Sequence, residues 1–298
     1  MAAGQDHHRL TRWYGGRVSI HTTLIDTTTL AARLSDPAVV VIDCRFDLAR
    51  PDAGEQAYAT GHIPGAAYAH LDRDLSGPKT GSNGRHPLPS ADALIATLGR
   101  LGIDATTQVV AYDQDNGMYA SRLWWLLRWM GHSSVAVLDG GFAAWVADGH
   151  AVTDGVEVHS ARTFTGSPNP ALVVDAASVA ALAASSEARV IDARAPERYR
   201  GEVEPLDPVA GHIPGALNYF YLRNLEQGRF RSAEALRAEF EPLVAGVQAD
   251  QVVSYCGSGV TGCHNLLALE HAGFRGARLY PGSWSEWVAD PARPIAKG

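Results

Sequence analysis

A cysteine in a glycine-rich loop is the residue of this chain whose setting most favours chemistry. The loop Cys256–Thr261 (Cys-Gly-Ser-Gly-Val-Thr) follows the β-branched segment Val252–Tyr255 and precedes a helical pattern. Small residues let such a loop curl tightly and turn its backbone N–H groups inward, and the helix start adds partial positive charge. A thiol at the centre should ionise easily, and an anion would be held there. The loop predicts a nucleophilic thiolate or a cysteine that carries a persulfide.

The two other cysteines have less favourable settings. Cys44 follows the segment Val39–Asp43, which has the pattern of a buried strand, and Cys263 lies one helical turn beyond the loop. Free cysteines usually pack as small apolar side chains, and we expect this of both. Cys263 is also a candidate redox partner of Cys256. Simple packing is a weaker explanation for Cys256 itself, because glycine-flanked strand ends are usually exposed.

A cysteine loop after a strand is also found in phosphatases. Their chemistry requires an arginine at the end of a Cys-X5-Arg loop, where it holds the phosphate oxygens. Here the sixth residue after Cys256 is Gly262, and the next arginine along the chain is Arg275. The spacing therefore disfavours a phosphatase.

Composition narrows the class of protein that carries this loop. The 298 residues predict two domains or one large one, and the net charge of −7 disfavours a nucleic-acid partner. Three cysteines are too few for a disulfide framework. The N-terminus shows no secretion signal, and no apolar run reaches the length of about 18 residues that a membrane span needs. We expect a protein of the reducing cytoplasm with no membrane partner.

The chain repeats itself. The matching segments, in order, are Val40–Arg45 with Arg189–Arg194, Gly61–Ala66 with Gly211–Ala216, Pro89–Leu94 with Arg231–Leu236, Val109–Asp113 with Val252–Cys256, and Asp139–Trp145 with Pro281–Trp287. Five matches in one order indicate a duplicated domain rather than a solenoid. The predicted boundaries are an N-terminal domain at 1–150 without a catalytic cysteine, a linker at 151–170 and a C-terminal catalytic domain at 171–298.

Each copy alternates strand and helix patterns. The predicted strands are Val39–Asp43, Val109–Tyr112 and Val135–Leu138 in the first copy, and Arg189–Asp192, Val252–Tyr255 and Arg278–Tyr280 in the second. Ser90 and Ser232 each precede a helical pattern and are candidate N-caps. This alternation predicts an α/β fold in which each domain is a mainly parallel sheet flanked by helices.

Comparing the two copies separates residues that are expected to act in catalysis from residues that are expected to shape the fold. Asp113 stands where Cys256 stands, and because a carboxylate cannot carry a sulfane sulfur, the first copy is predicted to have lost the nucleophile. The turn Gly-His-Ile-Pro-Gly is present in both copies, which favours a structural role. His62 in the first turn could still face a site between the domains, whereas His212 in the second would be purely structural.

Together these motifs resemble the rhodanese family of sulfurtransferases in its tandem two-domain form, over nearly the whole chain. The loop is similar to that of 3-mercaptopyruvate sulfurtransferases, whereas thiosulfate-preferring members carry Arg and Lys where this chain has Gly257 and Ser258. The resemblance implies that sulfur moves from 3-mercaptopyruvate through a Cys256 persulfide to cyanide or a thiol such as thioredoxin, releasing pyruvate. It implies no metal and no organic cofactor.

The resemblance also implies roles for individual residues. The expected catalytic residues are Cys256, Ser258 and Thr261, with His62 and Asp52 as a relay to the serine. The expected substrate-binding residues are Arg194, which is the leading candidate for binding the donor's charge, with Arg198, Arg200, Gly257, Gly259, Val260, Arg85 and His86. The alternatives are an ion pair of Arg194 with Asp192 or Glu197, and a mobile surface loop around Arg85 and His86.

Two other functions stay open from the sequence. One is a thiosulfate:cyanide sulfurtransferase of the same fold, which the neutral Gly257 and Ser258 disfavour because thiosulfate carries two negative charges. The other is a non-catalytic persulfide carrier or binding module, which would accept sulfur but turn over slowly.

Overall fold

The structure is a computed structural model that describes residues 20–298. The N-terminal segment, in which no secretion signal is predicted, lies largely outside the described residues. In the first domain the strands are β1 (Leu24–Ile25), β2 (Val39–Asp43), β3 (Ala67–Tyr68), β4 (Gln108–Tyr112) and β5 (Val135–Leu138). The helices are α1 (Thr27–Ala31), α2 (Ala53–Thr60), α3 (Ala91–Arg100), α4 (Ala120–Trp129) and α5 (Gly141–Ala147).

The second domain repeats this plan and adds a hairpin. Its strands are β6 (Arg189–Asp192), β7 (Leu217–Asn218), β8 (Leu225–Glu226), β9 (Arg229–Phe230), β10 (Val252–Tyr255) and β11 (Arg278–Leu279). Its helices are α6 (Ala176–Ala183), α7 (Pro196–Tyr199), α8 (Ala233–Phe240), α9 (Thr261–His271) and α10 (Ser283–Trp287). Short 3-10 helices lie at Pro170–Leu172, Tyr221–Asn224 and Ala249–Gln251. Among residues 20–298, no helix combines the length and the apolar character needed to cross a bilayer.

The second sheet repeats the order of four of the five strands of the first. The first runs β1-β5-β4-β2-β3 and the second β11-β10-β6-β7, and every pairing within them is parallel. Strand β4 and its twin β10 therefore lie in equivalent central positions, with their carboxyl ends at equivalent edges. The predicted α/β class and the tandem arrangement are confirmed.

Local sequence signals explain the elements that position the loop. The apolar runs of β2, β4 and β10 are buried on both faces of their sheets, as central parallel strands require. The hydroxyl oxygens of Ser90 and Ser232 accept hydrogen bonds from the backbone N–H of Ala93 and Ala235, so both predicted N-caps are confirmed.

Helices α4 and α9 form the centre of the interface between the domains. Every residue of α4 except Arg128 is buried, and α9 is buried from Gly262 to Leu269. The two helices pack against each other, and one continuous apolar cluster includes side chains of both domains. A shared core of this kind holds the domains in one relative position, unlike the polar interfaces that permit domain motion.

The segment between the domains is bound along the first domain. Thr153 pairs with His62 in an isolated antiparallel bridge, and Arg162 donates its backbone N–H to the carbonyl of Gly99. Further along, Asn169 donates its backbone N–H to the carbonyl of Trp129 at the end of α4. The connection is therefore a strap over the first domain.

A buried histidine joins α9 to the first domain. The Nε2 atom of His264 lies 2.8 Å from the carbonyl oxygen of Asn116, in the loop that precedes α4, and Nδ1 lies 3.0 Å from the amide nitrogen of Asn224. Burial lowers the pKa of His264 to about 4, so the ring is neutral at physiological pH. Neutral imidazole donates from one nitrogen and accepts at the other, as both contacts require.

This histidine should make folding sensitive to acid. Its pKa is about 4 in the folded chain and about 6.5 when exposed, so between these values the unfolded chain binds a proton that the folded chain does not. The free energy of unfolding should fall as the pH drops below about 6.5. The free energy of unfolding, measured in urea, should fall between pH 7 and pH 5 in the wild type. In His264→Gln this fall should be smaller by about 2 kcal/mol. Equal losses in the two proteins would contradict this assignment.

Candidate active site

Cys256 lies at the carboxyl end of β10, on the floor of a cavity of about 230 Å³ between the domains. The thiol is 2% exposed, and its Sγ accepts hydrogen bonds from the backbone N–H of Gly259 at 3.1 Å and of Ser258 at 3.4 Å. Amide donors aimed at sulfur stabilise negative charge there. The loop forms the anion cradle that its glycine content predicts.

The backbone conformation of the loop depends on a glycine and on the segment before α10. Gly259 has φ +76°, and a Cβ atom there would lie 2.4 Å from the carbonyl oxygen of Pro281. Cys256 donates its backbone N–H to Ser283 Oγ at 3.1 Å, and its carbonyl accepts from the N–H of Trp284 at 2.9 Å. Only glycine fits at position 259, because both the left-handed conformation and the close backbone exclude a side chain.

A fully buried arginine ties this loop to the first domain. Arg122 on α4 donates from Nη1 to the carbonyl of Gly259 at 3.1 Å. Its Nη2 donates to the carbonyls of His86 at 3.1 Å and Leu75 at 3.3 Å. These described partners are all uncharged, so a positive charge stays close beneath the cysteine loop. Burial lowers the pKa of Arg122 from its usual value, but a guanidinium remains protonated in proteins.

The twin loop of the first domain holds a carboxylate instead of a thiol. Asp113 accepts hydrogen bonds from the backbone N–H groups of Gly117 at 2.9 Å, Tyr119 at 2.7 Å and Ala120 at 3.2 Å. The side chain thus fills the cradle that its own loop forms. The structure agrees with the interpretation of Asp113 as a structural acid.

Ser258 contacts a histidine of the other domain. Its Oγ lies 2.7 Å from Nδ1 of His86, and Nε2 of His86 lies 3.6 Å from a carboxylate oxygen of Asp72. Burial and the nearby Arg122 lower the pKa of His86 to about 3, so the ring is neutral. A neutral ring with an acid near Nε2 can accept the serine proton at Nδ1.

Two arginines, one from each domain, flank Gly257. A Cβ atom at that position would lie 3.0 Å from Nη2 of Arg85 and 3.6 Å from Nη2 of Arg198. Asp207 pairs with Arg85, and Glu204 pairs with Arg198 at 2.6 Å. The cavity therefore presents two guanidinium groups beside the cysteine loop.

Arg194 lines the cavity, but its guanidinium serves the fold. Its Nε and Nη2 donate to Asp192, Nη2 also donates to the carbonyl of Gly211 at 2.6 Å, and Nη1 reaches Glu204 at 3.1 Å. Arg45, its twin, makes the same contacts with Asp43 and Gly61. The ion pair of Arg194 with Asp192, the alternative to donor binding, is therefore present, and it lies in the interior.

The structure brings nine of the expected residues to the cavity wall and leaves three elsewhere. Those at the wall are Arg85, His86, Arg194, Arg198, Cys256, Gly257, Ser258, Val260 and Thr261, and Gly259 contributes its amide.

His62, Asp52 and Arg200 lie away from the cavity, so their expected places are corrected. The ring of His62 stacks on Tyr58 at 4.2 Å, with Nδ1 on the carbonyl of that tyrosine, as His212 does on Tyr199. Asp52 is exposed at the start of α2, and Arg200 forms an exposed ion pair with Glu202. The histidine that contacts Ser258 is His86, because the loop that carries it crosses to the second domain.

Sequence reasoning overlooked four residues that shape this site: Asp72, Arg122, Glu204 and Asp207. Arg122 carried a usable signal, since it is a charged residue among apolar neighbours at the start of α4. The acids carried none, because they are brought to the site by loops that differ between the copies.

The remaining cysteines are inert by position. Cys44 and Cys263 are both buried, and Sγ of Cys263 lies 3.2 Å from the carbonyl oxygen of Gly259. Burial raises the pKa of Cys263 to about 12. Within residues 20–298 no group of three or more His, Cys, Asp or Glu side chains is placed to hold a metal ion.

Comparison with known proteins matches this architecture. Residues 26–148 and 175–290 each match the Rhodanese-like domain family. A Pseudomonas aeruginosa protein named probable 3-mercaptopyruvate sulfurtransferase is 50% identical over 278 residues, covering 92% of this chain and 98% of its own. SseB of Mycobacterium tuberculosis, whose name proposes thiosulfate sulfurtransferase activity, is 39% identical over 92% of this chain and 97% of its own. The crystal structure of the 3-mercaptopyruvate sulfurtransferase SseA from Escherichia coli superposes with a TM-score of 0.77 at 33% identity, covering 89% and 99% of the two chains.

Removing the Arg122 guanidinium should destabilise the protein strongly. Arg122→Met leaves buried carbonyls of both domains without donors, which should cost at least about 3 kcal/mol in urea denaturation. Arg128→Met is the matched control on the same helix. It breaks a partly exposed ion pair with Glu270 and should cost about 1 kcal/mol or less. Similar losses in the two variants would show that the carbonyl contacts of Arg122 do not hold the domains together.

Proposed function

The chain belongs to the rhodanese family, and from that membership we propose that it is a sulfurtransferase that takes sulfur from 3-mercaptopyruvate. The sulfur passes through a persulfide on Cys256 to a thiol or cyanide, and pyruvate is released. One observation carries the choice of donor. Cys256 lies in an amide cradle whose next residues, Gly257 and Ser258, are neutral, and that serine contacts a neutral histidine.

In the first step the Cys256 thiolate attacks the sulfur of 3-mercaptopyruvate. A sulfur–sulfur bond forms, the carbon–sulfur bond breaks, and its electron pair leaves with the carbon skeleton as the enolate of pyruvate. The loop amides and the Arg122 charge beneath them stabilise negative charge on the sulfur atoms. The thiol proton of the donor, which stays on the outer sulfur of the persulfide, then passes to the enolate, and pyruvate leaves.

Ser258, His86 and Asp72 supply the path for that proton. The 2.7 Å contact between Ser258 and His86 is within hydrogen-bond reach, and Asp72 faces the other ring nitrogen. A neutral ring can accept a proton from the serine side and return it. The proposal thus assigns to His86 and Asp72 the relay role that is expected of His62 and Asp52 from the family resemblance.

The donor's carboxylate is held by Arg85 and Arg198. Both guanidinium groups lie beside Gly257, and each is partly exposed to the cavity, whereas Arg194 is 3% exposed and committed to the fold. Bidentate guanidinium–carboxylate contact fixes the orientation of a small α-keto acid. Thr261 and Val260 complete the wall around it.

In the second step a thiolate attacks the outer sulfur of the persulfide and restores the Cys256 thiolate. We propose a protein thiol such as thioredoxin as acceptor, since Leu48 and Leu206 leave an apolar rim at the cavity mouth. A thiol nucleophile also fits a reducing compartment, which supports the cytoplasm as the setting. Neither step calls for a metal or an organic cofactor.

Thiosulfate is the second candidate donor, because the related SseB carries that name. Specificity constants for both donors, with cyanide as the common acceptor, separate the two reactions. We expect 3-mercaptopyruvate to be preferred, because the loop lacks the basic side chains that would balance a second negative charge.

Cys256 should carry the transferred sulfur. After exposure to 3-mercaptopyruvate without acceptor, mass spectrometry should find one added sulfur atom on the peptide that contains Cys256. Cys256→Ser should abolish both the adduct and steady-state pyruvate release, whereas Cys263→Ser should retain both. Turnover with an unmodified Cys256 would exclude the mechanism, and an adduct without sustained turnover would indicate a persulfide carrier.

Substitutions of His86 and His62 should differ in their effects on kcat and on the free energy of unfolding. His86→Asn removes the proton path, so kcat for pyruvate release should fall about a hundredfold or more with little change in KM. His62→Asn should keep kcat near the wild-type value but lower the free energy of unfolding, because its contacts lie within the first domain. The assignment fails if His62→Asn, rather than His86→Asn, loses kcat.

A further inference from the structure

Two buried acids hold the arginines of the donor site. Glu204 and Asp207 lie on the loop between α7 and β7, and the side chain of each is only 3% exposed. Asp207 pairs with Arg85 and lies 3.5 Å from Arg198. Glu204 pairs with Arg198 at 2.6 Å and reaches Arg194 at 3.1 Å. The proposed reaction assigns these acids no role.

These contacts balance the charge of the site before a donor enters. The three arginines that line the cavity are Arg85, Arg194 and Arg198, and the three carboxylates bound to them are Asp192, Glu204 and Asp207. The carboxylates are buried and the arginines at most partly exposed, so salt screens these pairs less than pairs on the open surface. An incoming anion therefore meets aligned donors without a surplus of positive charge in this cluster.

The site nevertheless retains hydrogen-bond capacity. The Nε atom of Arg85 is buried and has no hydrogen-bond partner among the described residues. Arg85 and Arg198 both approach the position beside Gly257 where a ligand atom would lie. The carboxylates orient these guanidinium groups while cancelling their charge.

We infer that Glu204 and Asp207 are specificity-determining residues that favour donors with one negative charge over dianions, an inference that rests on the proposed sulfur transfer. A donor with one carboxylate gains the aligned hydrogen bonds and adds a single charge to a balanced cluster. A dianion such as thiosulfate adds two charges, and Gly257 and Ser258 offer nothing to offset the second. The acids thus select donors by charge while the arginines select by shape.

A difference between the copies supports this role independently. In the first domain the stretch between Arg45 and His62 carries helix α2. The corresponding stretch between Arg194 and His212 has only the short α7 followed by the loop with both acids. The acid pair is therefore a feature of the catalytic copy and is not part of the shared fold.

The test uses two isosteric variants and a control from the same loop. Asp207→Asn and Glu204→Gln each remove one negative charge while keeping an oxygen that can accept from arginine. Glu202→Gln makes the same charge change two residues away, where the side chain is 55% exposed and paired with Arg200. Specificity constants are measured for 3-mercaptopyruvate and thiosulfate with cyanide as acceptor. Melting temperatures show which variants fold.

Asp207→Asn or Glu204→Gln should raise the thiosulfate to 3-mercaptopyruvate ratio of kcat/KM about tenfold, the order expected for one added charge near a protein surface. Glu202→Gln should leave the ratio unchanged. An unchanged ratio in both folded site variants, or an equal rise in Glu202→Gln, would overturn the inference.

A second measurement separates this inference from the proposed function. The thermal stabilisation by pyruvate, a monoanion, and by sulfate, a dianion, needs no turnover. The site variants should bind sulfate more tightly relative to pyruvate than the wild type does. If the wild type turns over neither donor, the proposed function fails, and the anion-binding ratio alone decides the charge selection: an increase supports it and an unchanged ratio overturns it.

Discussion

The site depends on one buried positive charge. Arg122 is fully buried, and its described partners are carbonyl oxygens from two loops of the first domain and from the cysteine loop of the second. Burying a charge among neutral groups is costly unless its hydrogen bonds are made and an opposite charge is available. The carbonyls meet the first need, and the thiolate form that the proposed reaction requires of Cys256 would meet the second. In the proposed reaction the constraint acts in both directions, because negative charge on sulfur gains from the arginine and the arginine requires the domains to stay docked.

That constraint gives the first domain a part in the proposed site although it has Asp113 in place of the cysteine. The first domain supplies Arg122, His86 and Arg85 to the site. Met118 and Tyr119, on the loop that carries Asp113, form part of the cavity wall. Its own cradle is occupied by the Asp113 carboxylate, which accepts three backbone amides and cannot accept a sulfur atom. A carboxylate in that position preserves the loop's shape without a ligand. The first domain is thus half of the active site rather than a passive wall.

The sequence was sufficient for the fold because its signals are local. Neighbouring residues are enough to predict the strands and the helix caps. Examples are the strands Val39–Asp43 and Val252–Tyr255 and the caps Ser90 and Ser232. The repeat is likewise visible as short matching segments. The nucleophile was also predictable, since the glycines around Cys256 form its cradle. The relay was not, because His86 and Ser258 are 172 positions apart and meet only through the docking of α4 against α9. No local pattern distinguishes the ring that crosses the interface from one that stacks inside its own domain.

The duplication itself offers a filter that could have corrected the errors. Arg45 and Arg194 make the same contacts with an aspartate and a glycine carbonyl, and His62 and His212 stack on equivalent tyrosines. When a side chain makes the same contacts in the copy that lacks the cysteine, the fold explains those contacts and no catalytic role is needed. The converse also holds: Cys256 opposite Asp113 breaks the symmetry at the position where the proposed chemistry requires it. In a tandem protein with one active copy, function is therefore best sought among positions at which the two copies disagree, and His86, Glu204 and Asp207 lie on loops that differ in this way.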